Sequence, residues 1–299
     1  MTPDEVGSLL ESWITHLQAE RKSPHTIRTY TTGVRMYLRW CEKNTGGTSI
    51  KFDRASVAAF TASLLADGAE PGTALARQRG VRRFSAWLAG EGEIGRDELA
   101  GMKPPKQDAK MPAELTAGQV TAILATCGKT PNHFHDIRDN AIIRLMTESM
   151  VRSSELLAMT VDDVDIRAGT AVVRRGKGGK GRLVPFGPQT GRALDRYARA
   201  RRRHKFSSSP MFWLGARGPL AYNALYATVK RRGLRAGVTV HPHMLRATGA
   251  IRWRAAGGSV PGLLTVAGWT SIDMAARYVR AAESRLAVDE AHKLDLGDL

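Results

Sequence analysis

The segment 102–113, MKPPKQDAKMPA, holds three prolines and three lysines with no apolar period, so it can continue neither a helix nor a strand. Helical patterns lie on both sides of it, and the chain is expected to fold as two units joined by an extended linker. Its 299 residues suit that division, because a single hydrophobic core stops growing near ~250–300 residues.

Four amphipathic stretches precede the linker. Residues 2–21 place Val6, Leu9, Leu10, Trp13, Ile14 and Leu17 on one helix face, with Thr2 as N-cap and Pro3 at the first helical position. Ser23-Pro24 starts a second helix, Asp53 caps a third that closes at Gly68, and a fourth covers about 73–88. After the linker, helices are expected at about 117–127, 137–150, from 153, 189–203, 222–236, 243–256, 260–266 and 272–283. Between 164 and 185 the pattern changes to short β-branched runs, Thr170 to Val173 and Leu183-Val184, around the glycine-rich RRGKGGKGR. The expected fold is mainly α with a small antiparallel β-sheet.

Charge narrows the function. With 42% hydrophobic and 24% charged residues the chain is neither disordered nor fibrous, yet its formal net charge is +17. Only +2 of this precedes Pro105 and +15 follows it, so a polyanion is expected to be gripped hardest by the second unit. No run approaches the ~20 apolar residues of a membrane span, and no signal peptide opens the chain. A cytoplasmic, nucleoid-associated protein is expected. Cys41 and Cys127 lie apart in helical stretches and read as core residues, not as a disulfide or zinc site.

Four stretches of the second unit carry chemistry. SMVRSSELLAM holds Arg152 and, three residues on, Glu155; HPHMLR sets His243 and Arg246 on one helix face; GKGGKGR puts Lys177 and Lys180 on a glycine hairpin open to a phosphate; GWTSIDMAARYVRA holds Trp269 and Tyr278. Singly, each has an ordinary reading as a helix salt bridge, an ion-pair network, a solvated loop or a half-buried tyrosine. In the order Arg, Lys, His-x-x-Arg, Trp, Tyr they resemble the tyrosine recombinase, or phage integrase, family, and SPHTIRTY resembles the start of that family's helical core-binding domain.

The resemblance implies a helical SAM-like core-binding domain at 1–101, the linker at 102–113, a catalytic domain at 114–283 and a tail at 284–299 that docks on a neighbouring protomer. The implied catalytic set is Arg152, Lys177, His243, Arg246, Trp269 and the nucleophile Tyr278, with Glu155 orienting the network from behind. A phosphotyrosyl ester stores the phosphodiester energy, and of this set only Tyr278 can form one. Arg152 and Arg246 can bind the non-bridging oxygens in the role a metal would otherwise play. His243 accepts the tyrosine proton or donates to the phosphate. Lys177, with Lys180 in reserve, is the expected general acid for the leaving 5′-oxygen. No metal and no cofactor are expected. Arg77, Arg79, Arg82, Arg83, Lys180, Arg182, Lys230, Arg231 and Arg232 are candidate DNA-backbone contacts, and the run from Arg201 to Lys205 is a further one.

Three positions depart from the family's pattern: Met150 where glycine is usual, so that a different local turn is expected; Trp269 where histidine is more frequent, its indole N–H still able to donate a hydrogen bond; and Ala247 where histidine commonly follows the second arginine, so that a supporting contact is expected to be lost. The expected partners are double-stranded DNA with core recombination sites, three further copies of the chain in a tetramer, and an accessory directionality factor or host bending protein. The expected role is integration of phage or mobile-element DNA by an integrase without an arm-binding domain; Xer-like dimer resolution is the alternative. A type IB topoisomerase, a non-catalytic DNA-binding regulator and an RNA- or membrane-binding protein are the rival classes.

Overall fold

The computed structural model describes residues 1–44, 49–105, 113–128, 133–174 and 181–294. The chain divides into two compact units, Met1–Ala109 and Lys110–Leu299, and the division falls within the stretch 102–113.

The first unit has four helices, α1 (Pro3–Ala19), α2 (Pro24–Asn44), α3 (Arg54–Ala66) and α4 (Pro71–Gly90). Helix α1 opens with a reciprocal cap: the Thr2 hydroxyl accepts from the Glu5 amide at 3.3 Å and the Glu5 carboxylate accepts from the Thr2 amide at 2.7 Å. Asp53 accepts from the Ser56 amide at 2.7 Å and starts α3. The core is aromatic, with Trp13, Tyr37, Phe52, Phe60 and Phe84 packed as edge or tilted pairs. Helices α2 and α4 touch backbone to backbone at Gly33 and Gly80. A Cβ at Gly33 would stand 2.5 Å from the Arg77 carbonyl oxygen, so this crossing has room for glycine only. On α4, Arg79 and Arg83 are exposed and Arg77 and Arg82 half-buried.

The second unit begins with α5 (Ala117–Ala125), α6 (Phe134–Ser149) and α7 (Ser153–Leu157). Strands β1 (Val164–Asp165), β2 (Thr170–Val173) and β3 (Arg182–Pro185) form an antiparallel sheet in that order, with Ala171 opposite Val184 and Val173 opposite Arg182. Then follow α8 (Pro188–Arg202), a two-stranded hairpin of β4 (Leu214–Gly215) and β5 (Gly218–Pro219), α9 (Tyr222–Arg235), α10 (Pro242–Ala255), α11 (Val260–Ala267) and α12 (Ile272–Leu294). Helix α12 runs eleven residues past the expected end at 283, because none of residues 284–294 is glycine or proline. No described helix is long and apolar enough to cross a membrane.

Helix α6 is the central element. It presents Ile142, Ile143 and Met146 to the main core and joins α9 through buried charge: Arg232 donates to Asp139 at 2.9 and 2.7 Å, to Asp136 at 2.6 Å and to the Thr126 carbonyl at 2.7 Å. Arg201 is likewise buried and donates to the carbonyls of Ser207, Ser209, Met211 and Phe212. Arg201 had been expected to track phosphates; it instead fastens the loop after α8. A second apolar cluster of mostly small residues, Ala247, Ala250, Ala275 and Ala282 with Ile251, Leu263 and Val266, packs α10, α11 and α12 together. Ala247, where the expectation was a lost supporting contact, is a buried member of it.

Candidate active site

The site forms where the end of α6, the start of α7, strand β3, the first turn of α10, the end of α11 and the start of α12 converge. Met150 ends α6 in the left-handed region, at φ +53° and ψ +26°. The turn that glycine usually makes is thus kept by a residue for which that conformation costs about 1 kcal/mol. Met150 is fully buried, and its carbonyl accepts from Nη1 of Arg246. Nη2 of Arg246 donates to the Ala267 carbonyl at 2.6 Å. Two carbonyls from separate elements therefore fix the plane of one guanidinium.

Arg152 stands at the N-cap of α7. Its Nη1 donates to Glu155 Oε1 at 2.7 Å and its Nη2 to the Gly268 carbonyl at 2.9 Å, while Glu155 Oε2 accepts from the Arg152 amide at 2.8 Å. Arg182, at the start of β3, reaches the same carboxylate from the other side, with Nη1 at 3.0 Å from Oε1 and Nη2 at 2.7 Å from Oε2, and its Nε donates to the Val266 carbonyl at 2.8 Å. Arg182 was expected among the DNA-backbone contacts. Its guanidinium is instead spent on Glu155 and α11, and it is nearly buried there.

Glu155 is the single carboxylate in this part of the site that pairs with arginine among the described residues, and it serves two of them. Burial raises its pKa, but hydrogen bonds from Arg182 and Arg152 outweigh that and hold it at about 2. A carboxylate depressed in the folded state adds stability at pH values above its ordinary 4.5, and this contribution is lost as the pH falls from there toward 2. Glu155→Gln is therefore expected to destabilise the catalytic unit by about 3 kcal/mol at pH 7, since it leaves the nearly buried Arg182 and the half-buried Arg152 without their anion. In urea unfolding, the gap from wild type should narrow as the pH is lowered through that window. A constant gap would show that Glu155 acts through packing alone.

Helix α10 presents His243 and Arg246 on one face, and α12 brings Tyr278 beneath them. The Tyr278 hydroxyl lies 3.3 Å from His243 Nε2 and accepts from Arg277 Nη2 at 2.9 Å. Its ring stacks on Trp269 at a centroid distance of 4.8 Å and an interplanar angle of 12°, and Arg246 lies over the same indole at 5.2 Å. Trp269 thus acts through its face, whereas the expectation concerned its N–H. Tyr278 is only 1% exposed.

Burial, then the charges of Arg246, Arg277, His241 and Arg152, lower the pKa of His243, which favours the neutral imidazole that can take a proton from the phenol. Burial and the neighbouring Arg152 push Arg246 down to about 10, still fully charged at neutral pH. A cleft of about 300 Å³ opens beside these groups, lined in part by Arg152, Ser153, Ser154, Tyr222, His243 and Arg246. Cationic walls, one neutral histidine and a tyrosine hydroxyl suit a phosphodiester.

The structure brings Arg152, Glu155, His243, Arg246, Trp269 and Tyr278 together. Lys177 and Lys180 lie outside the described residues. Lys230 and Arg231 are exposed on α9, with Arg231 3.7 Å from Asp139. Two residues of the site were missed as such: Arg182, whose partner is 27 positions away, and Arg277, which the sequence shows only as a neighbour of Tyr278.

A profile of the phage integrase family matches residues 113–285, and one of the phage integrase N-terminal SAM-like domain matches residues 10–92. The chain is 30% identical over 296 residues to the tyrosine recombinase XerC of Xanthomonas campestris pv. campestris, covering 97% of this chain and 89% of that one. Among solved structures, it resembles the site-specific recombinase XerH bound to a palindromic difH substrate, with TM-score 0.74, 18% identity and coverage of 94% of this chain and 83% of the other. It also resembles a lambda integrase tetramer bound to a Holliday junction, with TM-score 0.67, 17% identity and coverage of 89% and 77%. At these identities the two structures speak for the fold.

Proposed function

The chain belongs to the phage integrase family and is a tyrosine site-specific recombinase, and from that premise we propose that it exchanges DNA strands through a 3′-phosphotyrosyl link at Tyr278 in an Xer-like role. The observation that carries the chemistry is the Tyr278 hydroxyl held 3.3 Å from His243 beside Arg152 and Arg246. Tyr278 Oη attacks the scissile phosphorus and gives its proton to His243 Nε2; the bond to the 5′-oxygen breaks, and Lys177 supplies that oxygen with a proton. Arg152 and Arg246 hold the non-bridging oxygens as charge develops on them. The freed 5′-hydroxyl then attacks the phosphotyrosyl of a partner strand and restores a phosphodiester without ATP.

The Xer-like role takes precedence over phage integration, because the likeness to XerC spans 97% of the chain. The lambda integrase tetramer on a Holliday junction supports four copies acting on two sites. Arg79, Arg83, Lys230 and Arg231 are exposed and remain the proposed backbone contacts.

The test is a suicide substrate nicked next to the cleavage point, so that the short fragment carrying the freed 5′-hydroxyl diffuses away. A covalent protein–DNA adduct is expected in the presence of a chelator and without nucleotide, and peptide mapping should place the DNA on Tyr278. Adduct at another residue, or none, overturns the site. With directly repeated sites on one plasmid the expected product is two smaller circles; joining only between separate molecules would favour the integration role, and relaxation without recombinant joints would favour a topoisomerase.

A further inference from the structure

Three of the four arginines at this site are committed to protein acceptors. Arg152 and Arg182 share Glu155 and each also holds a carbonyl, and Arg246 holds the carbonyls of Met150 and Ala267. Arg277 differs. Among the described residues it has no carboxylate partner, and its Nη2 donates to the Tyr278 hydroxyl at 2.9 Å, closer than His243 approaches the same oxygen. Its guanidinium carbon lies 4.8 Å from the centre of the Tyr278 ring, and its side chain is exposed, although the tyrosine is buried.

Resting on the reading that Tyr278 is the nucleophile, we infer that Arg277 is a further catalytic residue, a fixed cation that stabilises the phenolate oxygen as the tyrosine loses its proton. In the resting state the bond from Arg277 runs to a neutral phenol. When the proton passes to His243 Nε2 the acceptor becomes anionic, and the same bond becomes charge-assisted at both ends. The bond is thus stronger in the state that attacks than in the state that waits, which is the condition for a contact to accelerate a reaction. Arg277 keeps its own proton throughout. The Oη–P bond forms, the bond to the 5′-oxygen breaks, and the leaving oxygen is protonated separately, so the proton balance of the step is unchanged.

The groups facing Tyr278 fit this division of labour. From α10, Arg246 lies over Trp269, not over the hydroxyl, and His243 approaches the oxygen as acceptor. Arg152, Arg182 and Glu155 form a separate network in which the carboxylate is already shared. Arg277 also contributes to the depression of His243, which keeps that ring ready to accept.

The test is single-turnover cleavage of the nicked suicide substrate at saturating protein, with Arg277→Met to remove the charge while keeping the length and Arg277→Lys to restore it. Arg277→Met is expected to slow adduct formation about 10- to 100-fold at pH 7, with the deficit narrowing as the pH is raised above 7. Arg277→Lys should recover part of the loss at pH 7. With a 5′-phosphorothiolate at the cleavage point, whose sulfur leaves without a proton, the deficit of Arg277→Met should persist. A wild-type rate, a loss equal at every pH, or a loss erased by the phosphorothiolate would each overturn the inference; the last would place Arg277 on the leaving group. Failure of the underlying reading is recognised separately, because the wild-type adduct would then map away from Tyr278.

Discussion

Replacing Tyr278 by phenylalanine is expected to abolish the covalent adduct, a loss of at least about 10⁴-fold in cleavage, while leaving fold and DNA affinity nearly intact. The ring is what the protein packs: it stacks on Trp269 and belongs to the small-residue cluster that joins α10, α11 and α12. Phenylalanine keeps those contacts. The hydroxyl is what the chemistry uses, and its two neighbours are Arg277, on the same helix α12, and His243, on α10. Removing it costs two hydrogen bonds between partly buried groups, so the thermal midpoint should move by only a few degrees. Among the described residues no other hydroxyl is hydrogen-bonded to His243, and water would give a hydrolysed end without a protein adduct. Cleavage on the suicide substrate, DNA affinity by fluorescence anisotropy and a thermal scan together check this. An adduct formed by the phenylalanine variant, or an unfolded variant, would refute the separation of ring from hydroxyl.

Much of this arrangement can be read from the sequence, because the signals involved are local. Thr2, Asp53 and the Val260 start lie beside the helices they announce, and the observed starts at Pro3, Arg54 and Val260 depend on side chains only a few residues away. The Arg, His-x-x-Arg, Trp and Tyr stretches can be found because each is fixed by short spacing. What could not be read was which charges are spent inside the protein. Arg201 and Arg232 sit in basic runs that look solvated, yet one fastens four carbonyls and the other two aspartates. Their partners lie either on a loop without periodicity or about 95 residues away, where no sequence spacing reports them. Arg182 is misread for the same reason, since its partner Glu155 belongs to another element. The hairpin β4–β5 has strands of two residues, too short for an alternating pattern. Met150 shows the converse: an unusual residue at a turn suggested a different turn, but the surrounding structure keeps the backbone and places a buried thioether in it.

The packing of α10 on α6 predicts the second large effect, at Gly249. This residue lies three positions after Arg246, against the end of α6. A Cβ there would fall inside the contact radius of the Thr147 carbonyl oxygen and stand 2.8 Å from Met150 Cγ. Helix propensity alone argues for alanine, by about 0.5–1 kcal/mol. The clash decides otherwise, because its partner is backbone in the last turn of a packed helix and cannot rotate away. Gly249→Ala is expected to lower stability by about 2–3 kcal/mol in urea unfolding. The larger loss should be in catalysis, since α10 can accept the methyl only by moving off α6, and the Arg246 guanidinium is anchored across that same seam to the Met150 carbonyl. A displacement of ~1 Å at a phosphate-binding group costs on the order of 100-fold in rate. Cleavage should therefore fall far below the fraction of folded protein, with the folded variant still binding DNA. Gly7→Ala in α1, where a Cβ meets nothing within 4 Å, serves as the contrast and should be neutral or slightly stabilising. If Gly249→Ala cleaves at the wild-type rate per folded molecule, the seam between α6 and α10 does not set the position of Arg246, and the placement of that guanidinium must rest on Ala267 alone.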